Sequence, residues 1–320
     1  MRVYITGATG FVGSNIARLY ADYHKLDVVV VGRRPPERPL PGEFAEVDLL
    51  NPSWVRDSVV TARPDVIVHS AILNDFPAIY GNRHLGWDSY VTTTRTIADA
   101  ANEVGAVLVY VSTDWVFDGT QANSTEETPP NPVNYYGFLK AAGELVVLER
   151  ARQPIVARIA GVNGVHWAKP ASPRSQDAGF GYFVASLVDT LAAGQPFTVW
   201  ESDTINVRAT PSLATESAEM MLRLAEAGAQ GIFHCCGGES VSRTALAHAA
   251  ADIFGLDASL IRTGAPDPAC LPQAPVPKDT SLSASATARK IGYELPSVRA
   301  LLTEFRRQRE TGQVQPLAAS

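Results

Sequence analysis

Cysteine is scarce in this chain: three in 320 residues, two of them adjacent at Cys235 and Cys236. An odd count without paired ligand spacing argues against a disulfide framework and a structural zinc site, and the thiols read as buried and reduced. Basic blocks are also missing. Lys and Arg number 27 against 33 Asp and Glu, for a net charge of −6, which is unsuited to a dedicated nucleic-acid binder that must displace counterions. No apolar run approaches the roughly 20 residues needed to cross a bilayer. The opening Met1-Arg2-Val3-Tyr4-Ile5-Thr6-Gly7 runs straight into a strand-like pattern and leaves no room for a signal peptide. His24, His69, His166, His234 and His248 show no metal-ligand spacing, so no metal is expected. These absences point to a cytoplasmic enzyme or binding protein with no nucleic-acid or membrane partner.

Short β-branched runs at residues 3–5, 28–31, 66–69 and 107–111 are nearly continuous in apolar character, as in strands buried on both faces of a parallel sheet. Amphipathic stretches at residues 11–23, at 52–62 and in a longer segment ending at Glu103 separate them. Asn51-Pro52 is a helix start, with Asn as cap and Pro in the first turn. Repeated strand–helix units predict a doubly wound α/β sheet whose strand ends line one ligand-binding edge. A helix at 136–150 and a strand at 155–159 continue it. Beyond lie helical patterns at 180–193, 213–227, 244–254 and 298–309, broken by Pro- and Gly-rich connections. The expected division is a Rossmann-like body at 1–160 and a smaller, mostly helical substrate lobe at 161–310, some elements of which return to the sheet. A frayed tail is expected at 311–320.

Gly7-Ala8-Thr9-Gly10-Phe11-Val12-Gly13 follows the first strand and opens the first helix. Its glycines suit a tight turn, a close backbone approach to a pyrophosphate and helix-on-sheet packing, with the helix start holding the anion. A carboxylate at the end of the second strand would suit NAD. The chain instead has Gly32-Arg33-Arg34, two guanidinium groups that could clasp a 2′-phosphate. NADP(H) is therefore favoured, NAD(H) stays open, and the alternative is a pair of solvated loop arginines. Asp48 and Leu49, after the third strand, fall where an adenine ring would rest. Ser70 and Ala71, after the fourth, would let a cofactor pass close to the backbone.

Acid–base chemistry is expected at the fifth apolar run, which ends Ser112-Thr113-Asp114-Trp115, and at Tyr136-Gly137-Phe138-Leu139-Lys140. Spacing i, i+4 puts Tyr136 and Lys140 on one helical face. A phenol has an ordinary pKa near 10, and a neighbouring ammonium favours its ionised form and brings it toward working pH. The Thr113 hydroxyl can hold a substrate oxygen beside it. Tyr135, five residues from the lysine, would point elsewhere and is expected to pack.

These residues together resemble the extended short-chain dehydrogenase/reductase superfamily. Ser112-Thr113-Asp114-Trp115-Val116-Phe117-Asp118-Gly119 is similar to the Ser-Thr-Asp-Tyr-Val-Phe-Asp-Gly signature of the dTDP-4-dehydrorhamnose reductase family. Gly231-Ile232-Phe233-His234, Glu239-Ser240-Val241-Ser242-Arg243, and Pro277-Lys278-Asp279-Thr280-Ser281-Leu282 with Lys290-Ile291-Gly292 resemble its later patterns. The resemblance implies hydride delivery from NADPH to a sugar C4 carbonyl. Tyr136 would protonate the oxygen, Lys140 would bind the nicotinamide ribose and tune Tyr136, and Thr113 would orient the ketone. Three features depart from the pattern. The superfamily's helix asparagine falls at Tyr90. A sugar-facing tryptophan is replaced by Gly161. The segment after the fourth strand becomes residues 73–87, carrying His84 and Trp87. Asp114, His84, Trp87 and Trp167 are candidates to line the substrate pocket, Trp167 as a replacement aromatic wall. Besides a sugar or sugar-nucleotide reductase, two readings stay open: an enzyme acting on a free sugar or other small carbonyl compound, and a non-catalytic NADP-binding regulatory subunit. A homodimer is open as well.

Overall fold

A computed structural model describes residues 1–170, 176–272 and 274–317. The strands of the first half are β1 (Arg2–Thr6), β2 (Asp27–Gly32), β3 (Glu43–Glu46), β4 (Val66–His69), β5 (Val107–Thr113) and β6 (Pro154–Ile159). Shorter ones follow: β7 (Val162–Asn163), β8 (Phe197–Trp200), β9 (Arg208–Ala209), β10 (Ser212–Leu213) and β11 (Gly231–His234), then β12 (Val241–Ser242), β13 (Ile261–Gly264) and β14 (Asp279–Thr280). The main sheet has seven parallel strands in the order β11-β6-β5-β4-β1-β2-β3. From β1 the chain winds outward to β3, then returns to build the other side from β4. The switch point therefore lies between the carboxyl ends of β1 and β4, where open α/β sheets bind ligands.

Alternation along each strand supplies two cores. Val3, Ile5, Val28, Val30 and Val68 face α1 (Phe11–Arg18) and α8 (Ala214–Glu226). Tyr4, Val29, Val31 and Ile67 face α2 (Pro52–Ala62) and α5 (Thr93–Val104). The Asn51 side chain caps α2 at Trp54 N, with Pro52 in the first turn. The expected helix at 11–23 ends in a π-helical turn (Leu19–Tyr23), and a second such turn (Asp88–Thr92) leads into α5. There Thr93 and Thr94 hydroxyls donate to the carbonyls of Asp88 and Tyr90, the back-bonding that loosens a helix from its regular ladder. Residues 73–87 hold two short helices, α3 (Phe76–Gly81) and α4 (Arg83–Trp87), capped by Asp75 and Asn82.

The helix expected at 136–150 is α6 (Tyr135–Arg150), started by the Asn134 side chain on Gly137 N. A Cβ on Gly137 would stand 2.2 Å from the Trp115 carbonyl oxygen, and one on Gly143 would stand 2.3 Å from the Tyr110 hydroxyl. Gly137 thus lets the start of α6 lie against the backbone just past β5, and Gly143 leaves room for the buried Tyr110 side chain of the strand.

In the second half α7 (Phe183–Ala192), α9 (Arg243–Phe254) and α11 (Val298–Thr311) share a separate apolar core with β8, while α10 (Ser285–Ile291) packs beside α8 and β11. The tail is a correction. Up to residue 317 it is docked rather than frayed, because Leu317 N donates to the buried Glu216 carboxylate and Val314 is buried. Among the described residues no helix is long and apolar enough to cross a membrane.

Gly143→Ala should lower the unfolding free energy by about 1–3 kcal/mol through overpacking. Gly81→Ala, where a Cβ meets nothing within 4 Å, should be nearly neutral. Denaturant unfolding of both variants checks this, and equal effects would contradict the packing argument.

Candidate active site

Gly7 adopts φ +69°, and a Cβ on it would lie 2.6 Å from Ala71 Cα. The carboxyl ends of β1 and β4 are therefore in backbone contact, fastened by Ser70 Oγ donating to Thr6 O (2.7 Å). A Cβ on Gly13 would lie 2.3 Å from Gly7 O, so the turn folds tightly onto α1. Gly10 caps α1 without a side-chain hydrogen bond, and no acidic residue occupies the first turn. The first N–H groups of the helix, from Phe11 to Gly13, are thus not taken by a capping side chain. This donor set fits a pyrophosphate.

The other cofactor candidates surround this turn. Arg33 and Arg34 are exposed just past β2. Leu49 is half-buried, its carbonyl held by the Thr93 hydroxyl, and Asp48 accepts from Leu50 N. The segment after β7 crosses over the same region: Arg38 N donates to Ala168 O (3.1 Å), and the Phe11 ring lies 5.0 Å from Tyr182 and 5.9 Å from His166. Trp167 belongs here, which corrects the expectation for it. Its indole donates to Asn15 Oδ1 (3.0 Å) and lies under the Arg18 guanidinium (4.6 Å), so it packs on α1 instead of walling a substrate beside Tyr136.

At the end of β5 the acid–base candidates come together. The Lys140 amine is buried, donates to Val111 O (2.6 Å) and sits 3.9 Å above the Tyr110 ring. Burial lowers its pKa to about 7, against a partial opposing pull from Glu144. The Tyr136 ring is enclosed edge-on by Phe76 (5.4 Å), Tyr90 (6.0 Å) and Trp115 (6.0 Å). Tyr135 turns the other way, donating to Arg83 O and stacking on Phe138. Thr113 Oγ1 donates to Asp114 Oδ1 (3.0 Å) and accepts from Trp115 N (3.2 Å). Asp114 is buried, and desolvation raises its carboxyl to about 6 despite hydrogen bonds from Thr280 and Thr113.

The segment 73–87 divides between these two tyrosines. Phe76 meets Tyr136, but α4 packs on Tyr135 through the Gly86 backbone. His84 and Trp87 are exposed on α4, the helix whose Gly86 packs on Tyr135. The aromatic ring beside Tyr136 from the β5 side is Trp115, which also packs over Gly179. Gly161 has φ +48°, a conformation poorly suited to the tryptophan that the family pattern carries there. Phe76, Trp115, Thr280 and Asn206 had no role assigned from sequence. Thr280 lies within a recognised stretch, Pro277-Lys278-Asp279-Thr280, but its partner Asp114 is 166 positions away. Among the described residues no group of three or more His, Cys, Asp or Glu could hold a metal ion.

A parallel doubly wound sheet, a glycine turn at its switch point and a Tyr–Lys pair on the helix beside β5 define a nucleotide-binding protein of the extended short-chain dehydrogenase/reductase type. Within it, the chain belongs to the family described as the RmlD substrate binding domain, matched over residues 1–310. It is 30% identical over 263 residues to methionine adenosyltransferase 2 subunit beta of Rattus norvegicus, covering 82% of this chain and 74% of that one. A solved structure of a hypothetical dTDP-4-dehydrorhamnose reductase from Sulfolobus tokodaii is similar, with TM-score 0.74 and 26% identity over 93% of this chain and 98% of that one. The dTDP-4-dehydrorhamnose reductase of Bacillus anthracis, solved in complex with NADP, shares the fold with TM-score 0.78 and 23% identity over 96% and 99% of the two chains.

Lys140 is an ionisable amine held in a nearly dry site, which a stable fold does not need. Lys140→Met should raise stability at pH 7 by about 1 kcal/mol or more. The wild type should gain stability as pH rises from about 7 toward the ordinary lysine value, because its folded-state pKa is lowered, and the variant should not. Thermal unfolding against pH checks both, and a less stable variant with an unchanged pH slope would contradict the burial argument.

Proposed function

We propose that the protein is an NADP(H)-dependent oxidoreductase that reduces a C4-type keto group on a nucleotide-linked sugar. The observation that carries this reading is the contact between the first two turns of α6 and the end of β5, which brings Tyr136, Lys140 and Thr113 to one edge. The glycine turn stands two strands away, after β1. When bound, the nicotinamide cofactor supplies or accepts hydride. The chain would hold it with Gly7, Gly10, Phe11, Val12 and Gly13 at the pyrophosphate, Arg33 and Arg34 at the 2′-phosphate, Asp48 and Leu49 at the adenine, and Ser70 and Ala71 along the backbone. Lys140, with one N–H on Val111 O, would offer its remaining donors to the ribose, and its protonated form would favour the Tyr136 phenolate. Tyr136 gives its proton to the ketone oxygen, Thr113 orients that oxygen, and Phe76, Tyr90 and Trp115 hold the phenol ring edge-on.

Two other readings have specific support. Gly161 and the rebuilt segment 73–87 favour a free sugar or another small carbonyl compound as substrate. The similarity to a methionine adenosyltransferase subunit favours a cofactor-binding regulatory subunit without turnover. A complete proton-handling set at Thr113, Tyr136 and Lys140 weighs toward catalysis.

A panel of keto-sugar nucleotides and free sugars, followed by nicotinamide absorbance, tests this. Tyr136→Phe should cut turnover about 100-fold or more with NADPH affinity nearly intact; an unchanged rate would remove Tyr136 from the mechanism. No turnover on any substrate, with tight NADPH binding, would support the regulatory reading. Replacing Arg33 and Arg34 by Ala should weaken NADPH far more than NADH in a fluorescence titration, and equal weakening would return the arginines to the solvated loop.

A further inference from the structure

A hydroxyl has one proton to donate and two lone pairs to accept with. The Thr113 proton goes to Asp114 Oδ1, and Trp115 N occupies one lone pair. While Asp114 is ionised, Thr113 therefore offers a substrate only a lone pair. That geometry holds an alcohol, which donates, and cannot polarise a ketone, which needs a donor.

The second Asp114 oxygen is engaged as well. Thr280 Oγ1 donates to Oδ2, and the Asn206 amide donates to Thr280 Oγ1 (2.6 Å) and so orients it. Arg243 Nε in turn donates to Asn206 O (2.6 Å). All five residues are buried. Both carboxylate oxygens receive a hydroxyl proton. Thr280 is the more deeply buried and is held between Asp114 and Asn206, whereas Thr113 faces the candidate site and can pass its proton to a substrate. The proton that Asp114 takes up is therefore assigned to Oδ1. It then donates to Thr113 Oγ1, whose own proton is released toward the substrate.

We propose that Asp114 is a positioning residue that sets the polarity of Thr113: ionised, it makes Thr113 an acceptor for the alcohol, and protonated, it makes Thr113 a donor to the ketone. This rests on the reading of Thr113 as the hydroxyl that orients the substrate oxygen. The elements around the turn bring Tyr136 and Lys140 on α6, Cys236 and, near it, Glu126, and Asp279 with Arg208. None of these forms an ion pair with Asp114 among the described residues, and burial without a counter-charge raises its pKa to about 6. The two states thus exchange in a range where many enzymes work.

The experiment combines pH–rate profiles from pH 5 to 8, using dTDP-4-dehydrorhamnose and NADPH, with ¹³C NMR of carboxyl-labelled aspartate. In the wild type, kcat/KM for reduction should fall about tenfold per pH unit above the Asp114 pKa, and one carboxyl should titrate at the pH of that step. Asp114→Asn presents an amide that donates to Thr113 at every pH, so the step near pH 6 and that resonance should both vanish, leaving only the dependence that Lys140 contributes from about pH 7. Thr280→Val removes a hydrogen bond that lowers the Asp114 pKa, so step and resonance should move together about one unit upward. A step that stays near pH 6 in Asp114→Asn, or that stays put in Thr280→Val, would overturn the proposal. So would an Asp114 carboxyl titrating near the ordinary value of about 4. If Asp114→Asn does not fold, the wild-type and Thr280→Val titrations decide. If the wild type does not reduce this substrate, the functional reading fails separately, and the carboxyl titration still decides whether Asp114 exchanges protons as proposed.

Discussion

Helix α6 touches the end of β5 almost backbone to backbone, and the candidate site depends on that approach. Gly137 under the Trp115 carbonyl and Gly143 under the Tyr110 hydroxyl remove the side chains that would hold the two elements apart. Closed to that distance, the helix delivers Tyr136 into the aromatic box and the Lys140 amine onto the Val111 carbonyl. Asn134 fixes where the helix begins, and with it which tyrosine faces the site: Tyr136 turns inward, and Tyr135 is spent on Arg83 and Phe138.

The first half of the fold was readable because each strand is a short apolar run and each helix an amphipathic one. Strand ends agree within a residue or two at β1, β2, β4 and β6. The cradle and the Tyr–Lys pair were readable for a related reason: their residues are neighbours in the chain. What stayed hidden depends on distant partners or on local back-bonding. The two π-helical turns arise where hydroxyls and carbonyls compete within a helix, which periodicity does not register. Trp167 was expected near a sugar because it lies beyond the sixth strand, yet its indole is drawn to Asn15 on α1. The tail was expected to fray on composition alone, but one hydrogen bond from Leu317 to buried Glu216 holds it.

The site is electrostatically costly. Lys140 and Asp114 are both buried, and each is pushed toward its neutral form by desolvation. His69, beneath the same edge, is likewise driven down to about 3 and stays neutral. Its ring links Thr6 at the end of β1 to Thr94 at the start of α5, and Thr94 donates onward to the Tyr90 carbonyl. The glycine turn and the π-helical turn that carries Tyr90 are therefore joined through an uncharged hydrogen-bonded chain. From the opposite side, Arg243 and Asn206 reach the same edge through Thr280. Most of these buried groups are bonded, Asn206 Oδ1 and the Tyr110 hydroxyl being left without a partner, and buried polar groups tend to collect where a protein does chemistry.

Membership of the RmlD substrate binding domain family settles the architecture, and the chain is similar both to a hypothetical dTDP-4-dehydrorhamnose reductase and to an adenosyltransferase subunit. The most direct test of the central claim is a crystal structure of the protein with NADPH. The account predicts the pyrophosphate on the N–H groups of Phe11 to Gly13, the 2′-phosphate between Arg33 and Arg34, and the Lys140 amine within hydrogen-bond reach of the nicotinamide ribose beside Tyr136. A nicotinamide bound away from the Tyr136–Lys140 face of α6, or a pyrophosphate held elsewhere than the glycine turn, would contradict it.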